Sequence, residues 1–113
     1  MVNHSFEAIY DNDSIYLFLG SFPSVKSREY NFYYMHPQNR FYPLLKEVFN
    51  DEFTTKDITK KKELLLKHKI ALFDVIKSCE IIGSSDSSIK NITPNDIEYI
   101  VKNSNIKKII LKN

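Results

Sequence analysis

Short, wholly apolar runs alternate with helical patterns along this chain, and that alternation narrows its folds more than any other feature. Ile15-Tyr16-Leu17-Phe18-Leu19 is rich in strand formers, follows a turn-prone Asp11-Asn12-Asp13, and stops at Gly20. A strand apolar on both faces belongs in a sheet covered on both sides. Ile70 to Val75 reads the same way, as does Ile106 to Leu111, while Phe6 to Tyr10 reads as a weaker edge strand. Between them the period changes to that of helices. Phe41, Leu44, Leu45 and Val48 fall on one helical face, and Pro43 requires this helix to begin near Asn39 or Arg40. Thr59 to His68 forms a second helix. Thr93-Pro94-Asn95-Asp96 reads as the start of a third, with threonine as N-cap and proline at the first helical position. Gly83 to Ser88 is a loop.

Strand, helix, strand, helix, strand is the order of a parallel sheet with right-handed crossovers. The expected architecture is α/β, three layers (α/β/α) around a central parallel sheet. Residues 1–113 suit one domain. In such sheets ligands bind beyond the carboxyl ends of the strands. Gly20-Ser21-Phe22-Pro23-Ser24 lies at such an end.

Composition excludes several classes. No apolar run is long enough to cross a bilayer, and the N-terminus lacks the layout of a signal peptide. One cysteine, Cys79, fits a reducing compartment and a core thiol, so the expected location is cytoplasmic, with no membrane partner. No Cys/His spacing suggests a metal, and no glycine-rich phosphate loop is present, so neither metal nor cofactor is expected. A net charge of +2 does not by itself imply nucleic acid. Fourteen lysines are scattered as solvated surface, whereas the only two arginines, Arg28 and Arg40, lie close together in sequence, as phosphate contacts or by chance.

Residues 20 to 42 depart from generic sequence. Tyr30, Phe32, Tyr33, Tyr34, Phe41 and Tyr42 surround a polar set of Asn31, His36, Gln38, Asn39 and Arg40. Such interleaving suits a pocket that stacks a planar base and reads its edge. An aromatic core patch beside a polar loop would have the same composition. His36 is open to two roles, proton donor or turn cap, and Asp74 to two, cleft or helix cap. Asp86-Ser87-Ser88 reads as a turn or a phosphate contact, and His4 and His68 as solvated.

The residue order adds a resemblance. Gly20-Ser21-Phe22-Pro23-Ser24 followed by His36-Pro37-Gln38-Asn39-Arg40-Phe41-Tyr42 resembles the paired motifs of the uracil-DNA glycosylase superfamily. Leu19 to Arg28, Phe32-Tyr33-Tyr34 and His36 to Phe41 are most similar to its hypoxanthine-DNA glycosylase branch. The likeness extends through Ile70 to Val75, Ser78-Cys79 and Asp86 to Lys90. It implies a monofunctional enzyme that hydrolyses the N-glycosidic bond of a deaminated base, hypoxanthine before uracil, in DNA. Tyr34 matches the aromatic that stacks on the extruded base. Phe22 stands where other branches place an asparagine or aspartate that positions water, and Asn39 matches the catalytic amide. Ser21, Phe22 and His36 are expected to join Tyr34 in binding the base, and Ser24, Arg28 and Arg40 to contact DNA. Tyr42 replaces a usual tryptophan, and Met35 a usual glycine. Family members continue beyond the strand at Ile106–Leu111 with a helix, a further strand and a serine- and proline-rich DNA-gripping motif, whereas this sequence stops at Asn113. The expectation is therefore a fold lacking its last strand and helix, and the alternative function is a non-catalytic base-binding remnant.

Overall fold

A computed structural model describes residues 1–112. Its strands are β1 (Val2–Asn3), β2 (Tyr16–Gly20), β3 (Ile70–Asp74), β4 (Ile76–Glu80), β5 (Lys90–Pro94) and β6 (Lys108–Leu111). Its helices are α1 (Val25–Tyr30), α2 (Phe41–Phe49), α3 (Ile58–Lys67) and α4 (Ile97–Lys102), with a 3-10 turn at Asp86–Ser88. The α/β class holds, but the strands form two sheets. One is parallel, in the order β3-β2-β6, and the other joins β1, β4 and β5 antiparallel.

In the parallel sheet β2 is central, with Gly20 opposite Asp74 on one side and Leu19 opposite Leu111 on the other. One face carries Leu17, Leu19 and Ala71 against Tyr10, Ile106 and Ile97 of α4. The other buries Ile70 and Leu72 among Phe41 and Leu45 of α2, Leu64 and Leu65 of α3, and the core residue Phe53. Burying such side chains contributes about 1.5–3 kcal/mol each, so the helices are fixed mainly through this apolar face.

Several expectations change. Phe6 to Tyr10 is no strand; only Ile9 bridges Leu72, through two 2.9 Å backbone hydrogen bonds. The β6 run keeps the edge position expected of a fold lacking the next strand: among the described residues it pairs with β2 alone, and it exposes Ile109 and Leu111. In α2 the buried face is Phe41, Tyr42 and Leu45, while Leu44 and Val48 face out. Tyr42 turns the helix, because its hydroxyl donates to the Tyr33 carbonyl at 2.7 Å and its ring lies 4.4 Å from the Lys61 ammonium. Lys61 itself is buried rather than solvated and donates to the carbonyls of Phe53 and Thr55. His68 is hydrogen-bonded to the Asp51 carboxylate, its Nε2 3.0 Å from Oδ2, rather than solvated. Thr93 and Pro94 end β5, and the N-cap of α4 is Asp96, whose carboxylate accepts from the Tyr99 N–H.

Candidate active site

The chain leaves β2 at Gly20, where β3 delivers Asp74 as its register partner. A Cβ on residue 20 would lie 2.4 Å from Asp74 Oδ1, so only glycine lets that carboxylate rest against the turn. Beyond Gly20 the Val75 N–H donates to the Gly20 carbonyl at 2.8 Å, and the Ile76 N–H to the Ser21 carbonyl at 3.1 Å. Ser24 then caps α1, its hydroxyl accepting from the Ser27 N–H. The buried Ser27 hydroxyl accepts in turn from the Met35 N–H at 3.0 Å, which ties the second motif to the first.

Between the motifs lies a cavity of about 150 Å³, lined by Ser21, Phe22, Tyr34, Asn39, Asp74 and Lys112 among others. A cavity of about this size accepts a benzene-sized ring. Tyr34 stands at its wall with φ at 58°, a left-handed conformation that bulky residues rarely adopt. Its hydroxyl is buried with no hydrogen-bond partner among the described residues. Burial, with the Asp74 carboxylate nearby, raises the phenols of both Tyr33 and Tyr34, leaving them as donors at neutral pH. Tyr33 spends its proton on the Glu7 carbonyl at 3.0 Å.

The Asn39 amide has a fixed orientation. Its Oδ1 accepts from the Phe41 N–H at 2.9 Å, and a backbone N–H can only donate, so the oxygen must occupy that end. The NH₂ end has no protein partner among the described residues. Opposite, Asp74 is 3 % exposed, and its Oδ2 lies 2.8 Å from Nε2 of His4. His4 comes from the residue after β1, and its ring is enclosed by Phe6, Phe22 and Tyr33. The Lys112 ammonium, the one cation lining the cavity among the described residues, lies 5.7 Å from the ring centres of Tyr34 and Phe41.

Ser21, Phe22, Ser24, Tyr34 and Asn39 thus share one cavity. His36 does not; it lines a neighbouring hollow of about 400 Å³. Its Nδ1 accepts from the Gln38 N–H at 3.1 Å, the turn-capping alternative. Arg28 braces loops rather than facing the cavity, donating through Nε to the Pro23 carbonyl and through its terminal nitrogen to the Gly83 carbonyl, beside the Phe22 ring. Arg40 is exposed at the N-cap of α2, with no side-chain hydrogen bond or ion pair among the described residues. Asp86 accepts from the Ser21 hydroxyl at 3.1 Å, which holds the Gly83–Ser88 loop over the first motif.

Sequence reasoning missed Lys112, read His4 as solvated, placed Tyr33 in the aromatic set without a role of its own, and left Asp74 open; the structure puts Asp74 in the cleft. Asp74 had one usable signal, its place at the carboxyl end of an apolar strand next to the motif strand. His4 had none, because its contact spans 70 residues. No group of three or more His, Cys, Asp or Glu side chains that could hold a metal occurs among the described residues, and none of their helices is long and apolar enough to cross a membrane.

An α/β core with a ring-sized cavity at the carboxyl end of its parallel strands can be compared with known proteins. No family model matches the chain. It is 29% identical over 113 residues to a hypoxanthine DNA glycosylase of Methanosarcina barkeri, covering 100% of this chain and 72% of that protein. It is 33% identical over 96 residues to a hypoxanthine DNA glycosylase of Methanosarcina acetivorans, covering 85% of this chain and 61% of the relative. Its fold matches the solution NMR structure of a candidate uracil DNA glycosylase from Methanosarcina acetivorans with a TM-score of 0.84 and 29% identity, over 96% of this chain and 68% of that one. In sequence and in fold the chain is thus similar to the uracil-DNA glycosylase superfamily, and its curated relatives are of the hypoxanthine-DNA glycosylase branch.

Proposed function

We propose that this protein is a DNA repair glycosylase of the cytoplasm that hydrolyses the N-glycosidic bond of a deaminated base, hypoxanthine before uracil. The observation that carries the reading is the meeting of both motifs around one ring-sized cavity, with Tyr34 and Asn39 facing Ser21, Phe22 and Ser24. Both relatives described above carry the name hypoxanthine DNA glycosylase.

The nucleotide is flipped out of the duplex, which costs a few kcal/mol and least at a damaged or mispaired site. The base stacks on Tyr34, whose unpartnered hydroxyl offers a donor to a ring nitrogen or carbonyl oxygen. Asn39, held through Oδ1, directs its NH₂ to the attacking water or to the charge building on the leaving base. Phe22 supplies an apolar wall and neither accepts nor donates. Arg40, free of protein partners among the described residues, is the arginine placed to meet phosphate, while Arg28 acts by fixing the loops.

The test is release of hypoxanthine, and separately of uracil, from a labelled duplex by the 113-residue protein and by Asn39→Ala. Excision is expected from the unsubstituted protein and loss of about 100-fold or more from the variant, the scale of one preorganised polar group. Duplex binding without release would favour the non-catalytic alternative. Excision undiminished in Asn39→Ala would remove Asn39 from the chemistry.

A further inference from the structure

Hydrolysis needs a group that takes the proton of the attacking water, and an amide such as Asn39 is too weak a base for that role near neutral pH. Its oxygen, moreover, already accepts from the Phe41 N–H. Phe22 has no acceptor. The Ser24 and Ser27 hydroxyls are engaged with each other and with backbone N–H groups, and Tyr34 is a donor at neutral pH. Two carboxylates line the cavity. Asp86 is exposed and receives the Ser21 hydroxyl. Asp74 is buried, and only its Oδ2 is used, by His4. Its Oδ1 has no hydrogen-bond partner among the described residues and lies against Gly20, where a side chain would displace it.

Resting on the glycosylase reading, we infer that Asp74 is the proton acceptor of this site and that His4 is its positioning residue. The water oxygen bonds to C1′ as the C1′–N bond breaks, and the bonding pair leaves with the base. The water proton passes to Asp74 Oδ1 and then to solvent, and the released base nitrogen takes a proton from solvent. The sum is one water consumed, one free base and one abasic sugar. Asn39 and Asp74 divide the work, the first donating and the second accepting. His4 cannot reach the water, because its Nε2 is spent on Oδ2; its task is to hold the carboxylate in one rotamer with Oδ1 presented. Its ring is itself locked among Phe6, Phe22, Tyr33 and Phe73, so the pair is rigid before substrate arrives.

The experiment is single-turnover excision of hypoxanthine at saturating enzyme, with duplex affinity measured alongside, for the unsubstituted protein, Asp74→Asn, His4→Ala and His4→Gln. Thermal melts confirm that each variant is folded. Asp74→Asn keeps the shape and removes the proton acceptor, so the rate should fall by about 100-fold or more, the contribution of a general base, with affinity nearly unchanged. Glutamine can still donate to Oδ2, so His4→Gln should recover most of the rate that His4→Ala loses. Asp74→Asn with an intact rate but weakened binding, or a changed preference between hypoxanthine and uracil, would make Asp74 a reader of the base and overturn the assignment. Equal losses in His4→Ala and His4→Gln would reduce His4 to packing. No excision by the unsubstituted protein would sink the glycosylase reading itself, a result distinct from either.

Discussion

Gly20→Ala probes the tightest contact at the site. The added Cβ would sit 2.4 Å from Asp74 Oδ1, whereas ordinary contact begins at 3.4 Å, so something must yield by about 1 Å. Asp74 resists, because its backbone is fixed opposite Gly20 in the sheet and its Oδ2 is held by His4 at 2.8 Å. If the carboxylate moves, the His4 contact stretches beyond hydrogen-bonding range, a loss of about 1.5–3 kcal/mol for a bond to a charged group. If the strands move instead, overpacking costs about 1–3 kcal/mol. Either route gives a destabilisation of about 1–3 kcal/mol and a Tm lower by roughly 4–13 °C in a domain of this size. The assay is a double-mutant cycle by urea and thermal melts with Asp74→Ala, which removes the obstructing oxygens. In that background Gly20→Ala should cost under about 0.5 kcal/mol or stabilise slightly, since alanine restricts the unfolded chain. Gly83→Ala is the control: its φ of +59° carries a penalty of roughly 1–2 kcal/mol, with no atom within 4 Å, and the cost should be the same with or without Asp74. An equal cost of Gly20→Ala in both backgrounds would refute the steric argument.

Two further predictions concern stability away from the cavity. The Asp51 carboxylate receives hydrogen bonds from His68 first, then from Lys67 and the Glu52 N–H, and these hold it well below the usual carboxylate range. A depressed folded-state value means that the stabilisation is complete above the unfolded carboxylate value near about 4 and is lost as pH falls below it; Asp51→Asn should therefore lower the urea midpoint at pH ~7 and much less at pH ~2, and an equal deficit at both would contradict this. Lys61→Met keeps the buried stem but leaves the Phe53 carbonyl without its donor, a cost of about 1–3 kcal/mol in chemical denaturation; a change below about 0.5 kcal/mol would show that water replaces the ammonium.

What was legible follows from where burial leaves a pattern. Leu17, Leu19, Ile70, Ala71 and Leu72 are buried, and their continuous apolar runs marked β2 and β3 correctly. The antiparallel sheet was invisible for the opposite reason: every residue of β5 is exposed, so it carries no apolar period, and its Thr93-Pro94 end imitates a helix start. In β6 the apolar run marked the strand, and its edge position agrees with the expected absence of the next strand. Its apolar run exposes Ile109 and Leu111, because composition reports what a strand could bury and not what lies beside it. Tyr42, not Leu44, sets the face of α2 through one hydroxyl-to-carbonyl bond, a long-range fact that the heptad-like spacing does not contain.

The same logic explains why half of the site was readable. Ser21, Phe22, Ser24, Tyr34 and Asn39 come from two segments whose spacing is local, and Ser27 joins them through one hydrogen bond to Met35. His4 and Asp74 meet only because the molecule has two sheets. Asp74 ends β3 in the parallel sheet; after a single residue, Val75, the chain enters β4 of the antiparallel sheet. β1 pairs with β4, Asn3 lying opposite Ser78, and the next N–H, that of His4, donates to the Lys77 carbonyl at 2.8 Å. The seam between the sheets therefore brings an N-terminal imidazole onto a carboxylate 70 residues away and aligns both with the motif that leaves β2. The β1–β4 pairing is only two residues long, so the His4–Asp74 contact in turn helps hold β1 in place. Disrupting β1 should then reach the cavity through His4, although β1 itself supplies none of the residues that line it.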